Sequence, residues 1–293
     1  MIKIVLSGGL GNQMFQYAFA KTLAVKHNTQ LFLNTQFLES KLPIKSMATQ
    51  LQYELDIFAI DAILERNIFQ SKLLYPFAKA NYLLQDKINQ QKFHFLKETQ
   101  HHFNPTYLQA KDNTYIKGNF QSEKYFIEIE EIIRKDFSFK IPLENENKSI
   151  SEKIQNSNSV SIHIRRGDYI SLPQNKHKFA QLSLEYYQQS IAKIKEQIFN
   201  PIFFVFSDDI AWVKQALNID AHFISNNNTN KTAYMDMQLM SMCKHNIIAN
   251  STFSWWAAWL NNNPQKIVIA PQHWFADVSI NSQDIIPTHW IKL

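Results

Sequence analysis

Two of the chain's four arginines are adjacent: Arg165 and Arg166, against Arg66 and Arg134 elsewhere. The pair lies in His163-Ile-Arg-Arg-Gly-Asp-Tyr169, where the run Val160 to Ile164 reads as a strand that is ending. A guanidinium presents a planar fork of donors that grips phosphate oxygens two at a time, which a lysine ammonium cannot do. The carboxyl end of a parallel strand is also where open α/β sheets bind ligands. Arg165 is therefore a candidate phosphate clamp, with His163 beside it. Asp168, the carboxylate of the same loop, fits a general base or an ion-pair partner for Arg166.

Glycine is spent as sparingly as arginine. Of five glycines, Gly8, Gly9, Gly11, Gly118 and Gly167, three share one loop between a first strand and a first helix. Such a loop lets backbone N–H groups and a helix N-terminus approach an anion, so Gly9, Gly11 and the adjoining Asn12 are candidate ligand contacts. A tight βα turn without ligand would use the same residues. As a dinucleotide fingerprint the loop is incomplete: Met14 replaces the third glycine, and the second strand ends at Asn34 instead of an acid. That argues against an NAD-dependent oxidoreductase.

A third cluster spans Asn246 to Trp259. A buried strand runs into Asn250, Ser251, Thr252, Phe253 and Ser254, and a helix follows. Hydroxyls and N–H groups at a helix start make a second anion cradle, and Ser251 or Thr252 would also cap the helix. Trp255, Trp256 and Trp259 have helical spacing and suit a core better than a sugar platform. Ser207 and Asp208 close another strand in Phe206-Ser-Asp-Asp209, and Asp236 opens a helix. An aspartate can accept both N–H donors of a guanine edge; both acidic positions also suit helix caps. His101-His102 lacks partners for a metal site, so no metal ligands are expected.

These residues need elements to hold them. Ile2–Leu6 predicts a strand, Asn12–Lys26 a helix with apolar residues at Met14, Phe15, Ala18, Phe19 and Leu23, and Leu31–Leu33 a second strand. From about Ala48 to Phe139 the pattern reads as mostly helical, with breaks at Pro76 and Pro105. Leu143 to Ser159 is polar and reads as a linker. Alternation then resumes: strands over Val160–Ile164, Ile202–Phe206, His222–Ile224, Ile247–Ala249 and Ile267–Ala270, and helices over Leu184–Ile198, Ile210–Leu217, Asp236–Cys243 and Ser254–Leu260. The expectation is α/β, two Rossmann-like domains facing across a cleft, divided as 1–150 and 151–293.

With 293 residues, 45% of them hydrophobic and 13% aromatic, the chain can build two cores. A net charge of +5 and a pI near 9.0 favour anionic partners and allow peripheral contact with an acidic membrane. The lysines are dispersed, without the aromatic-interleaved basic stripe of a nucleic-acid binder. Cys243 is the one cysteine, which excludes an intrachain disulfide and fits a reducing compartment. No run of eighteen apolar residues predicts a membrane span. The glycine loop interrupts any secretory h-region, so the cytoplasm is expected, its membrane face included, and the Asn250-Ser-Thr252 sequon is idle.

Together these segments resemble the bacterial α-1,2-fucosyltransferases of glycosyltransferase family eleven. The resemblance rests on Gly8-Gly-Leu-Gly-Asn-Gln-Met-Phe-Gln-Tyr17, Gly118-Asn-Phe-Gln-Ser-Glu-Lys-Tyr-Phe126, His163-Ile-Arg-Arg-Gly-Asp168, Phe206-Ser-Asp-Asp209 and Asn246 to Leu260. It implies a GT-B fold with an N-terminal acceptor domain and a C-terminal GDP-fucose domain, the last residues packing back on the first. It implies inverting, metal-independent transfer of L-fucose from GDP-fucose to the 2-hydroxyl of a galactose-terminated oligosaccharide, with no cofactor beyond the donor. The wider superfamily would place Arg165 on the β-phosphate, Asn12 near the transferred sugar, Asp236 on guanine, Ser251 to Ser254 on the pyrophosphate and His163 on the nucleotide. An α-1,6-linking sister enzyme and a non-catalytic sugar-binding protein are the other readings; the second would have little use for two anion cradles.

Overall fold

The computed structural model describes residues 1–40, 52–68, 75–166, 182–227, 229 and 232–293. The chain divides into two compact units: Met1–Lys140 with Gln283–Ile285, and Ile141–Ser282 with Ile286–Leu293.

In the first unit, β1 (Ile2–Val5), β2 (Leu31–Asn34), β3 (Ile63–Glu65), β4 (His94–Lys97) and β5 (Thr114–Lys117) form one parallel sheet in the order β3-β2-β1-β5-β4. β1 is buried along its whole length, as a central parallel strand must be when both faces are covered. α1 (Leu10–Lys26) follows it and buries residues on every side, Met14, Phe15, Ala18 and Phe19 among them. The Phe19 ring stacks on Phe120 with centroids 3.8 Å apart. Three further helices complete the described part of this unit: α2 (Gln36–Glu39), α3 (Tyr75–Lys92) and α4 (Glu130–Asp136).

The expectation of a mostly helical stretch from Ala48 to Phe139 fails here, because β3, β4 and β5 all fall inside it. β5 even sits next to β1. It is only four residues long, pinned between Asn113 at φ 57° and Gly118. A Cβ on Gly118 would come within 2.4 Å of the Glu98 Cβ. Its aromatic neighbours blur so short a signal.

The polar stretch read as a linker is a helix, α5 (Asn145–Gln155). It buries Asn147, Ile150, Ser151 and Ile154, a spacing of three, one and three residues that defines one face. Two of the four are polar, which is why composition suggested a linker. Beyond it the second unit follows the expected alternation: β6 (Asn158–Ile164), α6 (Leu184–Gln197), β7 (Pro201–Ser207), α7 (Ile210–Leu217), β8 (His222–Ile224), α8 (Ala233–Met242), β9 (His245–Ile247), α9 (Thr252–Leu260), β10 (Val268–Ala270) and β11 (Ile291–Lys292). The sheet is parallel, in the order β11-β10-β9-β6-β7-β8. Counted from β6 as the first strand, this is the 3-2-1-4-5-6 order of dinucleotide-binding folds. Its direction of winding reverses between β6 and β9. Val160, Ile162, Val205 and Ile247 fill the core against α6, and Trp255, Trp256 and Trp259 are buried as expected.

Candidate active site

The strand order reverses between β6 and β9. At such a place open α/β sheets bind ligands, at the carboxyl ends of their strands. His163, the arginines and the start of α9 stand at those ends. β6 delivers His163 and then Arg165 and Arg166. β9 runs through buried Ile248, Ala249 and Asn250 into α9. The two loops touch: the rings of His163 and Phe253 have centroids 5.8 Å apart.

His163 is 6% exposed, and its Nδ1 has no hydrogen-bond partner. Burial, with Arg165 nearby, pushes its pKa down to about 3. The ring is therefore neutral, and an unsatisfied buried nitrogen at a ligand-binding strand end is a group waiting for a partner.

The arginines are held by β7. Arg165 Nη1 lies 3.3 Å from Asp208 Oδ2, and the Arg166 backbone N–H donates to Asp208 Oδ1 at 2.9 Å. Arg166 Nε lies 3.2 Å from Asp209 Oδ2, and its guanidinium rests 3.5 Å above the Trp212 ring centroid. Asp208, expected on the nucleotide, contacts both arginines. Ser207 Oγ is likewise spent locally, accepting from the Asp209 N–H at 3.1 Å. Asp209 accepts from the Trp212 N–H and caps α7. Among the described residues Arg166 pairs with Asp209, which the sequence reading did not single out; Asp168 and Gly167 lie outside the described residues.

At α9, Ser251 occupies the N-cap position but makes no side-chain cap. The first turn contains no acid. Its N–H groups at Thr252, Phe253 and Ser254 have no acceptor within the helix, which leaves a partial positive charge at the helix start. The expected hydroxyl contacts are narrower than the sequence suggested. Ser254 is buried and its Oγ points back to Ser251 and Ala249 carbonyls at 3.3 and 3.5 Å. Asn250 donates to the Trp274 carbonyl at 3.0 Å. This turn offers its amide groups more than its side chains.

Asp236 is 7% exposed and accepts from Asn227 Nδ2 at 2.7 Å. Burial outweighs that bond and pushes its pKa up to about 7. Asn227 and Asn226 also bond Asn147 of α5 at 2.9 and 2.8 Å. Asn147, Asn226 and Asn227 line a cavity of about 310 Å³ together with Glu144, Thr232 and Met235.

The glycine loop belongs to the first unit. Gly8 has φ +76°, and a Cβ there would stand 2.4 Å from the Asn12 amide nitrogen, so the turn admits only glycine. Two buried glutamines staple it. Gln13 Nε2 donates to the Gly8 and Gln52 carbonyls at 2.9 and 2.8 Å, and its Oε1 accepts from the Glu54 N–H at 3.0 Å. Gln16 exchanges bonds with the Ser7 N–H and hydroxyl, both at 2.9 Å. Asn12 Oδ1 accepts from Gln121 Nε2 at 2.8 Å. The Glu54 side chain stands beside this turn, with its Oε2 atom 3.8 Å from where a Cβ on Gly9 would lie. Burial raises its pKa to about 7 against the lowering pull of the Leu10 amide. Gly9 and Gly11 therefore form a tight turn that presents Asn12. Sequence reasoning missed Glu54, Gln13 and Gln16; the two glutamines had a signal, since both fall in the run that carries the family resemblance.

Among the described residues no group of three or more His, Cys, Asp or Glu side chains could hold a metal ion.

The family model described as glycosyl transferase family 11 matches residues 1–293. An alpha-1,2-colitosyltransferase of Escherichia coli is 37% identical, over 98% of this chain and 97% of its own. The O-antigen biosynthesis glycosyltransferase WbnK of Escherichia coli is 32% identical over 98% and 99%. Galactoside alpha-(1,2)-fucosyltransferase 2 of Bos taurus is 24% identical over 86% and 67%. In three dimensions, a mutant of Arabidopsis thaliana FUT1 in complex with GDP superposes with a TM-score of 0.51 at 11% identity, over 97% of this chain and 74% of that one. That likeness and the two parallel sheets establish a GT-B fold.

Proposed function

This chain belongs to glycosyl transferase family 11, and from that premise we propose that it moves L-fucose from GDP-fucose to the 2-hydroxyl of a galactoside, with inversion and without a metal ion. The support that weighs most is the convergence at the carboxyl ends of β6 and β9: a neutral His163, a braced Arg165 and the open first turn of α9. Those groups suit a diphosphate that becomes a leaving group.

When the bond to the sugar breaks, negative charge grows on the β-phosphate while the sugar takes on oxocarbenium character. Donors already oriented toward that charge bind the transition state better than the ground state. Arg165 is one such donor, held in place by Asp208. The α9 amides are another, and together they do what a divalent cation would do. In this reading Asp236 and its Asn227 partner meet the guanine edge, and Asn12 lies near the transferred sugar. The acceptor hydroxyl attacks the face opposite the departing phosphate and gives up its proton to a base, for which Asp168 is proposed.

A second donor has a specific observation behind it, since a 37% identical relative is named a colitosyltransferase. Colitose is L-fucose lacking the 3-hydroxyl. The two readings differ only at that position of the donor, and the phosphate chemistry is common to both. Incubation with GDP-L-fucose and with GDP-L-colitose, using lactose as acceptor and EDTA in parallel, separates them. Fucosylation at O2 of galactose, shown by NMR of the product and unaffected by EDTA, is the expected result. Turnover of GDP-colitose alone would change the donor, and a product linked through O6 would change the acceptor chemistry.

A further inference from the structure

We propose that α3 of the first unit carries a docking surface for an anionic lipid bilayer. Its inner side is ordinary: Ala78, Tyr82 and Asn89 are buried against the unit. Its outer side is not. Phe77 is 58% exposed, Leu84 58% and Ile88 41%, and steps of seven and four residues align them in one stripe. Leu83, 52% exposed, lies on the same helix. The other fully described parts of the surface expose large apolar side chains more singly, Phe199 and Val278 for example, as soluble proteins normally do.

The charges around the stripe choose the partner. Lys79, Lys87 and Lys92 are all exposed on α3. At 100° per residue, Lys87 and Lys92 fall on the two flanks of the stripe. The acid of this helix, Asp86, is turned toward the body of the unit, where it accepts from the Tyr115 hydroxyl at 2.7 Å and pairs with Lys117 at 2.5 Å. Its charge is met inside. A protein groove would be matched by the apolar stripe alone. An apolar stripe with lysines along its borders matches the boundary between acyl chains and anionic headgroups, where an amphipathic helix lies flat. No helix among the described residues is long and apolar enough to cross a membrane, so α3 would lie on the bilayer and not through it.

The test is cosedimentation of the full chain with vesicles of phosphatidylcholine alone or mixed with phosphatidylglycerol. Binding to the mixed vesicles only, weakened by salt, is expected. Lys87→Glu with Lys92→Glu should lower the partition coefficient by at least about fivefold for each lysine. Leu84→Ser with Ile88→Ser should abolish binding while melting temperature and turnover on a soluble acceptor stay unchanged, since both side chains face solvent. If the apolar pair destabilises the chain, the lysine pair still decides. Equal binding to neutral vesicles, no binding to mixed vesicles, or wild-type binding by the lysine pair would overturn the proposal. So would a dimer that dissociates on Leu84→Ser with Ile88→Ser, because a second copy would then be the occupant. The readout is vesicle binding, so its failure leaves the transferase reading standing, and failure of turnover leaves this one standing.

Discussion

The start of α1 and the start of α9 are built alike and stand in different surroundings. Each follows a buried parallel strand, each lacks an acid in its first turn, and neither has a side-chain cap. Their sequences invite one reading, an anion cradle. At α1, however, the buried Glu54 side chain stands beside the turn, near Gly9. At α9 the His163 and Phe253 rings stand 5.8 Å apart, which brings the first turn beside the strand end that leads to Arg165. A helix N-terminus is a general attraction for negative charge. Whether it serves a ligand or the chain's own carboxylate is decided by a residue far away in sequence.

The largest effect should come from the α9 side. Arg165→Lys keeps the charge but loses the fork, and removal of one transition-state donor costs ~10²–10³ in kcat. Stopped assays of kcat beside thermal melts check this; near-normal kcat with an unchanged melting temperature would put the phosphate elsewhere. On the α1 side the largest effect should fall on stability. Gly8→Ala forces a side chain into φ +76° against Asn12, at a cost of about 1–3 kcal/mol, measurable by urea titration. An unaltered midpoint would mean the turn is looser than its geometry.

Asp208→Asn sharpens the contrast more gently. A partly exposed ion pair contributes ~0–1 kcal/mol, so kcat/KM should fall by no more than about fivefold while the fold is unchanged. A thousandfold loss would make Asp208 a ligand contact after all. Smallest of all is Glu54→Gln. The folded pKa is raised from 4.5 to about 7 because burial outweighs the Leu10 amide. The neutral form is therefore the one favoured by folding. That stability is fully present below about pH 4.5 and is lost as pH rises through about 7. Asp236, raised from 3.8 to about 7, adds a fall of the same sign. Glutamine cannot ionise, so melting temperatures of the variant should decline less over this range than those of the wild type. Parallel profiles would show that Glu54 is no more perturbed in the folded chain than in the unfolded one.

These contrasts mark how far the sequence could be read. The arginine pair was legible because arginine is scarce and stands at the end of a β-branched run. α9 was legible because three tryptophans at helical spacing follow a buried strand. Glu54 was not, since the turn it stands beside is more than forty residues away and nothing local distinguishes it from a surface acid. α5 was missed because half of its buried face is polar, and the asparagine that makes it so, Asn147, is bonded to Asn226 and Asn227 about eighty residues on. β5 was hidden by its length. Local pattern identifies a turn and a helix; long-range pairing decides what each is for. Asp208 makes the same point, as its role as a brace depends on β7 lying beside β6 in the sheet.

The packing of Trp255, Trp256 and Trp259 has a spectroscopic corollary. The chain's six tryptophans, Trp212, Trp255, Trp256, Trp259, Trp274 and Trp290, all belong to the second unit. Intrinsic indole emission is therefore blind to the first. Trp255 stands at an interplanar angle of 75° to Trp256, with centroids 5.0 Å apart, and at 9° to Trp259, with centroids 6.4 Å apart. Rings this close couple their electronic transitions and sign the near-ultraviolet dichroism of that unit. Tyrosine and phenylalanine, with the far-ultraviolet amide bands, report on both. A denaturation followed in the two channels thus resolves one half of the molecule from the whole without labels: superposed curves would mean that the halves unfold together, and a lag of the amide signal behind the indole signal would mean that the first half outlasts the second.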